Sequence, residues 1–316
     1  MRLSVLSNSL GHLPLRQALE FFSQRGVQEI EIGCGGYPGK DHCDPDLLLR
    51  DASALREFKS AFADYGLKIS ALSCHGNPVH PDPDTAAEFH RQFEQAVYLA
   101  EQLDVRRVVG FSGCPGGSPV DRQPNWVVYP WPPEFTQSLD YQWNEVLIPY
   151  WSRTAEFTRS HGVDRIALEM HPGFCVYNPE TLMKLRDAAG PVIGANLDPS
   201  HLFWQGMDLA QVIRYLGEAI HFFHAKDTAL DAQNTARNGV LDWKPFDDPS
   251  KRAWVFRTVG YGHDAKVWKD IMISLRMAGY DGPISIEHED GLMTSKEGLE
   301  KAIRFLQEVM LFEPVS

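Results

Sequence analysis

The stretch RIALEMHPGFCVYNPETLMKLRDAAGPVIGANLDPSH, residues 165–201, reads as a strand, a helix and a second strand. The first apolar run ends in Glu169, with His171 two positions on. The segment after it opens on Asn178 and Pro179, carries Glu180 in its first turn and stops at Gly190, the start and stop marks of a helix. The next apolar run ends in Asp198, and His201 follows three residues later. Strands that look bound for a core therefore finish in carboxylates and imidazoles.

The same alternation runs through the chain. Strands are expected at 3–7, 29–34, 68–74, 106–113, 164–171, 192–198, 220–227 and 283–289. Between them lie amphipathic segments such as 83–103, which places Phe89, Phe93, Ala96, Val97 and Ala100 on one helix face. Strand–helix alternation implies an α/β fold with a parallel sheet, and eight such repeats in a chain of this length imply a (β/α)8 TIM barrel. A doubly wound sheet is the alternative, but no G-x-G-x-x-G follows the first strand. Internal repeats, linkers and low-complexity segments are not seen, so one domain is expected over residues 1–316. Two connections, 112–136 after the fourth strand and 228–263 after the seventh, are too long to be plain loops. Both leave the C-terminal ends of strands, where long loops cover or shape a barrel's active site.

Composition narrows the partners. The chain of 316 residues is 43% hydrophobic and 23% charged, enough for a large core. Its net charge of −12 repels phosphate backbones, so nucleic acid is not an expected partner. No apolar run approaches the ~20 residues of a membrane span, and the N-terminal MRLSVLSNSL is too short in apolar residues for a signal segment, so no membrane partner is expected. The five cysteines, at 34, 43, 74, 114 and 175, stand singly, without a C-x-x-C zinc pattern or the even count of a disulfide framework. A cytoplasmic protein with reduced thiols is expected.

Four consecutive strands end in potential metal ligands: Glu169 on the fifth, Asp198 on the sixth, His224 on the seventh with Lys226 beyond it, and Glu287 on the eighth. In a barrel these ends converge on one mouth, and side chains alternate along each strand, so the set must share the inward phase. Ala167, Asn196 and Ser285, two residues before Glu169, Asp198 and Glu287, are small or polar, as an interior opening toward water requires. Carboxylates suit Mg2+ or Mn2+, and the imidazole shifts the expectation to Mn2+, with Co2+ or Fe2+ as further choices. Without a cation, three carboxylates facing one cavity repel. Each acid alone could be a strand cap or a surface ion-pair partner; four on consecutive strands favour a single bound divalent metal.

The motifs LEMHPG, NLDPSH, HAKD and GYDGPISIEHED, with EIEIGCGGYPG and ISALSCHGNP in weaker support, resemble the xylose isomerase-like barrel family of sugar isomerases, sugar epimerases and apurinic endonucleases. The resemblance spans nearly the whole chain. It implies that Glu169, Asp198, His224 and Glu287 are the metal ligands and that His201 touches substrate hydroxyls. The family's H-x-H-x-K-D is departed from, because Phe222 stands where the first His is usual. The long connections look like a branch acting on 3-keto-glycosides, the α-subunits of C-glycoside deglycosidases. That likeness implies a small β-subunit as partner; a homo-oligomer is the other expectation.

Such a site suits proton abstraction beside a sugar carbonyl through a metal-stabilised enediolate. Two outcomes stand side by side: isomerisation or epimerisation of a sugar, and β-elimination from a keto-glycoside. Glu169 and Glu287 are the expected proton-transfer groups, with His171, in phase with Glu169, as an alternative or a hydroxyl contact. His171 could equally cap the loop before Pro172. His75, His201, Trp204, Lys226, Arg257 and His263 are expected to bind substrate; for His75 the plain alternative is a turn residue. Around Arg257 and His263, Gly260 and Gly262 suggest a loop pressed against a ligand or a turn needing positive φ. Trp126 and Trp131 could stack on sugar faces or simply pack. An apurinic-site endonuclease and a non-catalytic sugar-binding barrel are the competing classes. Asp198→Asn is expected to weaken metal binding, measured by equilibrium dialysis; full activity after chelation would refute the metal assignment.

Overall fold

The computed structural model describes residues 1–313. Its strands are β1 (Arg2–Leu6), β2 (Glu29–Gly36), β3 (Lys68–His75), β4 (Arg107–Gly110), β5 (Arg165–Glu169), β6 (Ile193–Leu197), β7 (Ile220–Ala225), β8 (Asp227–Leu230), β9 (Trp254–Arg257) and β10 (Pro283–Ile286). Eight of them close a barrel in the order β1-β10-β7-β6-β5-β4-β3-β2, with helices in the connections, as expected of a (β/α)8 fold. The other two, β8 and β9, form a separate antiparallel pair.

Two parts of the chain are internally dense. One comprises Met1–Glu31, Ala61–Ser70 and everything from Leu197 on; the other comprises Ile32–Ser60 and Ala71–Asn196. The boundaries fall inside β2, the helix Ala52–Asp64, β3 and β6. In the first part, β1 pairs in parallel with both β10 and β2, setting Ser4 beside Ser285 and Leu6 beside Glu31. In the second, β4 pairs with β3 and β5, and β5 with β6, setting Glu169 beside Asn196. The barrel strands are buried along nearly their whole length, which is why they read as near-continuous apolar runs.

Local chemistry explains where elements stop. The helix Pro179–Ala189 is entered through a capping box: Asn178 Oδ1 accepts from the Thr181 N–H at 2.9 Å, and Thr181 Oγ1 accepts from the Asn178 N–H at 3.2 Å. It ends at Gly190, whose φ of 98° an L side chain rarely adopts. The helix Pro83–Leu103 buries Phe93, Ala96, Val97 and Ala100, whereas Phe89 is only partly buried and packs on Tyr37. β4 is shorter than its apolar run suggests, because the chain leaves the ladder where Ser112 Oγ accepts from the Val176 N–H and Gly113 adopts φ 81°.

Both long connections carry structure of their own. The one after β4 is bracketed by side chains on backbone: Gln142 Nε2 donates to Asn125 O at 2.6 Å, and Trp151 Nε1 donates to Ser112 O at 2.9 Å. It leads into the helix Pro133–Asp140, a π-helical stretch Tyr141–Leu147 and the helix Ile148–Ser160. The one after β7 is not a loop but a hairpin, β8 and β9, holding the helix Ala232–Asn238 between its strands. Its apolar cluster is Trp204, Ala253 and Trp254, with Val240 and Phe256 against it.

Among the described residues no helix is long and apolar enough to cross a membrane. Asn178→Ala is expected to cost about 1 kcal/mol by removing the cap, and so to lower Tm by on the order of 2 °C for a chain of this size, read by differential scanning calorimetry.

Candidate metal centre

The C-terminal ends of the strands carry the acids, and each is placed by its local backbone. Asp198 follows β6 and caps the short helix Pro199–Phe203, its Oδ1 accepting from the Ser200 N–H at 2.8 Å. Capping occupies one oxygen and turns the other inward: Asp198 Oδ2 accepts no well-directed hydrogen bond, although Lys226 Nζ lies 3.1 Å away and His201 Nε2 3.4 Å away. Glu287 leaves β10 and accepts from Lys226 Nζ at 2.7 Å; its Oε2 also lies 3.1 Å from His224 Nδ1. Lys226 is nearly fully buried and donates a further bond to Glu289 at 3.0 Å. Its ammonium also sits 4.7 Å from the Phe256 ring centre.

On β5, Glu169 is buried and accepts from Asn196 Nδ2 at 3.3 Å, while His75 Nε2 lies 3.0 Å from the same oxygen. One ligand atom from each of Asp198, His224 and Glu287 lies within 4.8 Å of the others. Asp198, Glu287 and the His224 imidazole form an oxygen-rich set with one nitrogen, and Asp198 Oδ2 is a buried carboxylate oxygen that has Lys226 Nζ 3.1 Å away but no aligned hydrogen bond. The residues fit a divalent cation.

Sequence reasoning missed Glu31. This residue of β2 is fully buried, and both its oxygens lie 3.0 Å from His224 Nε2, while Ser285 Oγ donates to it at 2.7 Å. A carboxylate on Nε2 makes that nitrogen the protonated one and leaves Nδ1, on the Glu287 side, as the electron-pair donor. The signal was present in EIEIGCGG: an acid at the centre of a strand buried throughout its middle. Phe256 was missed as well. β9 delivers its ring to Lys226 and edge-on to His201, 5.4 Å between ring centres.

The other expected contacts are placed as follows. His75 packs edge-on against Phe111, and its ring nitrogen faces Glu169 rather than sitting in a plain turn. The Nδ1 of His171 lies 2.6 Å from Pro172 O, the loop contact that was the plainer expectation, and its ring packs on Phe111 and Phe174, which stack on each other. Trp204 is buried and stacked face to face on Trp254 at 4.8 Å, so one face belongs to the hairpin's own core. Trp126 packs edge-on against Tyr177, and Trp131 is largely exposed.

The loop 257–263 is pressed close to a carboxylate, but that carboxylate is the chain's own Asp227. Asp227 is fully buried and accepts from the main-chain N–H groups of Gly260, Gly262 and His263, from Trp268 Nε1 at 3.1 Å and from Thr228 N–H at 2.8 Å. His263 Nδ1 lies 2.7 Å from it, with the ring stacked on Phe203. A side chain at 262 would place its Cβ 2.3 Å from Thr228 O, so the glycine serves close approach, whereas Gly260 serves φ 87°. Arg257 donates to Asp290 at 3.2 Å.

The model of the xylose isomerase-like TIM barrel family matches residues 19–309. The uncharacterized protein YfiH of Bacillus subtilis (strain 168) is 40% identical over 313 residues, 98% of this chain and 99% of that one. The rhizopine catabolism protein MocC of Rhizobium meliloti is 26% identical over 285 residues, 88% of this chain and 76% of that one. Among solved structures, IolI, described with a zinc atom, superposes with a TM-score of 0.67 at 19% identity over 98% of each chain.

Glu31→Gln removes the charge behind His224 and is expected to weaken binding of Mn2+ by about 10- to 100-fold. Isothermal titration calorimetry reads this, with circular dichroism confirming the fold; unchanged affinity would deny Glu31 that role.

Proposed function

The chain belongs to the xylose isomerase-like TIM barrel family, and on that premise we propose that it is a divalent-metal-dependent enzyme acting beside the carbonyl of a keto sugar. The observation that carries the reading is the convergence of Asp198, His224 and Glu287 within 4.8 Å of one another, with Glu169 proposed as the fourth ligand. When bound there, the cation supplies positive charge to a sugar carbonyl and its neighbouring hydroxyl. Mn2+ is the proposed ion, on the grounds of three carboxylates and one imidazole.

The chain's own groups do the rest. Glu169 and Glu287 come from different strands, so one can take a proton from a sugar carbon and the other return it to the opposite face. Glu169 is held for this by His75 and Asn196, and Glu287 by Lys226. His171 and His201 are proposed to orient hydroxyls, and the stacked pair Phe111 and Phe174 beside His171 offers an apolar wall for the C–H face of the ring. Arg257 and His263 are proposed to act at one remove, through the loop wrapped on Asp227.

Isomerisation or epimerisation is the first reading. Elimination from a 3-keto-glycoside is the second, favoured by the hairpin insertion that brings Phe256 to Lys226 and leaves Leu241, Trp243 and Phe246 exposed nearby in sequence, an aromatic surface suited to an aglycone. Incubating the Mn2+-loaded protein in deuterium oxide with ketohexoses and 3-keto-glucosides separates the two. Deuterium in the recovered sugar marks the first, release of aglycone the second, and neither would leave only a binder. Glu169→Gln and Glu287→Gln are each expected to lower the observed rate by about 10^2- to 10^4-fold, as is chelation followed by dialysis.

A further inference from the structure

Away from the acids, the connection after β4 and the turn after β5 meet at two cysteines. The Cys175 N–H donates to Gly113 O at 3.0 Å and the Val176 N–H to Ser112 Oγ at 2.9 Å, laying the two backbones side by side. Asn77 grips the Cys114 main chain from both sides, Oδ1 accepting its N–H at 3.0 Å and Nδ2 donating to its carbonyl at 2.9 Å. Both thiols are free and buried. Backbones joined at this spacing lie within the span a disulfide bridges.

The pair differs from the other cysteines in two ways. Cys175 lines a cavity of about 310 Å3 with Trp126, Tyr129, Trp143, Tyr177 and Lys184, a route for a small oxidant. Burial pushes the Cys34 thiol far up and those of Cys43 and Cys74 up to about 12, and Cys175 is held far up by its neighbour Cys114 and by burial; Cys114 alone is drawn down, by Cys175 beside it. A thiolate is the nucleophile toward peroxides, so Cys114 is the one poised to react.

We propose that Cys114 and Cys175 are an oxidation site, a dithiol that hydrogen peroxide converts to an intramolecular disulfide. The Cys114 sulfur attacks the O–O bond, hydroxide leaves, and a sulfenic acid forms. The Cys175 sulfur then attacks that sulfur; the S–S bond forms, the S–OH bond breaks, and water leaves with the Cys175 proton. In sum, two thiols and one peroxide give one disulfide and two waters, the sulfurs oxidised and the peroxide oxygens reduced. The cross-link ties the connection after β4 to the turn bearing His171 and Phe174.

The test treats the reduced full-length protein with a small excess of hydrogen peroxide, then denatures it, alkylates with N-ethylmaleimide and measures intact mass and peptide masses. The expected product has lost two hydrogens, takes up three maleimides instead of five, reverts with dithiothreitol and yields one linked peptide pair containing Cys114 and Cys175. Cys175→Ser is expected to form no such link and to leave Cys114 as a sulfenic acid trapped by dimedone. Five maleimides after peroxide, or a link through Cys34, Cys43 or Cys74, overturns the proposal.

Discussion

One buried ammonium shared among three carboxylates is the interaction on which the mouth of this barrel depends. Lys226 Nζ lies 3.1 Å from Asp198, 2.7 Å from Glu287 and 3.0 Å from Glu289, and it is nearly fully removed from water. Opposite charges at such spacing attract by several kcal/mol at an effective dielectric of about 20, and the acids repel one another in turn. The local balance is negative, with three carboxylates to one cation. Glu289 is exposed, but Asp198 is fully buried and Glu287 largely so, which makes the excess charge between those two costly, and a divalent ion is the simplest group that corrects it. The same lysine holds Glu287 in position, so charge compensation and ligand placement are one arrangement.

The second constraint is directional. His224 can present only one lone pair at a time, and Glu31 decides which. That carboxylate is itself fixed by Ser285, a small polar residue one layer down the barrel. Asn196 plays the corresponding part for Glu169. The interior is thus polar in layers, each set of short side chains orienting the longer acids above it.

Much of this was legible in the residues. The eight barrel strands, the helix from Asn178 to Gly190 and the position of Glu169, Asp198, His224 and Glu287 at or just beyond strand ends follow from periodicity and from what ends each run. Asn196 and Ser285 could be read as the inward partners two residues below the ligands because a strand alternates with period two. Glu31 could not be matched to His224, since the two lie 193 positions apart and only barrel closure brings β2 to β7 through β1 and β10. The hairpin was hidden because β8 and β9 are four residues each, too short for alternation to separate from loop. Gly260 and Gly262 announced a close approach without saying to what, and the partner proved to be an aspartate of the same chain.

Lys226 and Asp227 are neighbours, and consecutive side chains of extended backbone point to opposite sides. One faces the acids; the other anchors the far end of the insertion, while β8 and β9 zip its near ends together. The segment between, 231–253, is therefore a cassette clamped at its root. Its exposed side chains, Leu241 and Trp243 among them, can change while the paired strands that carry it stay as they are, whereas Phe246, stacked on Phe256, ties its inner side to Lys226.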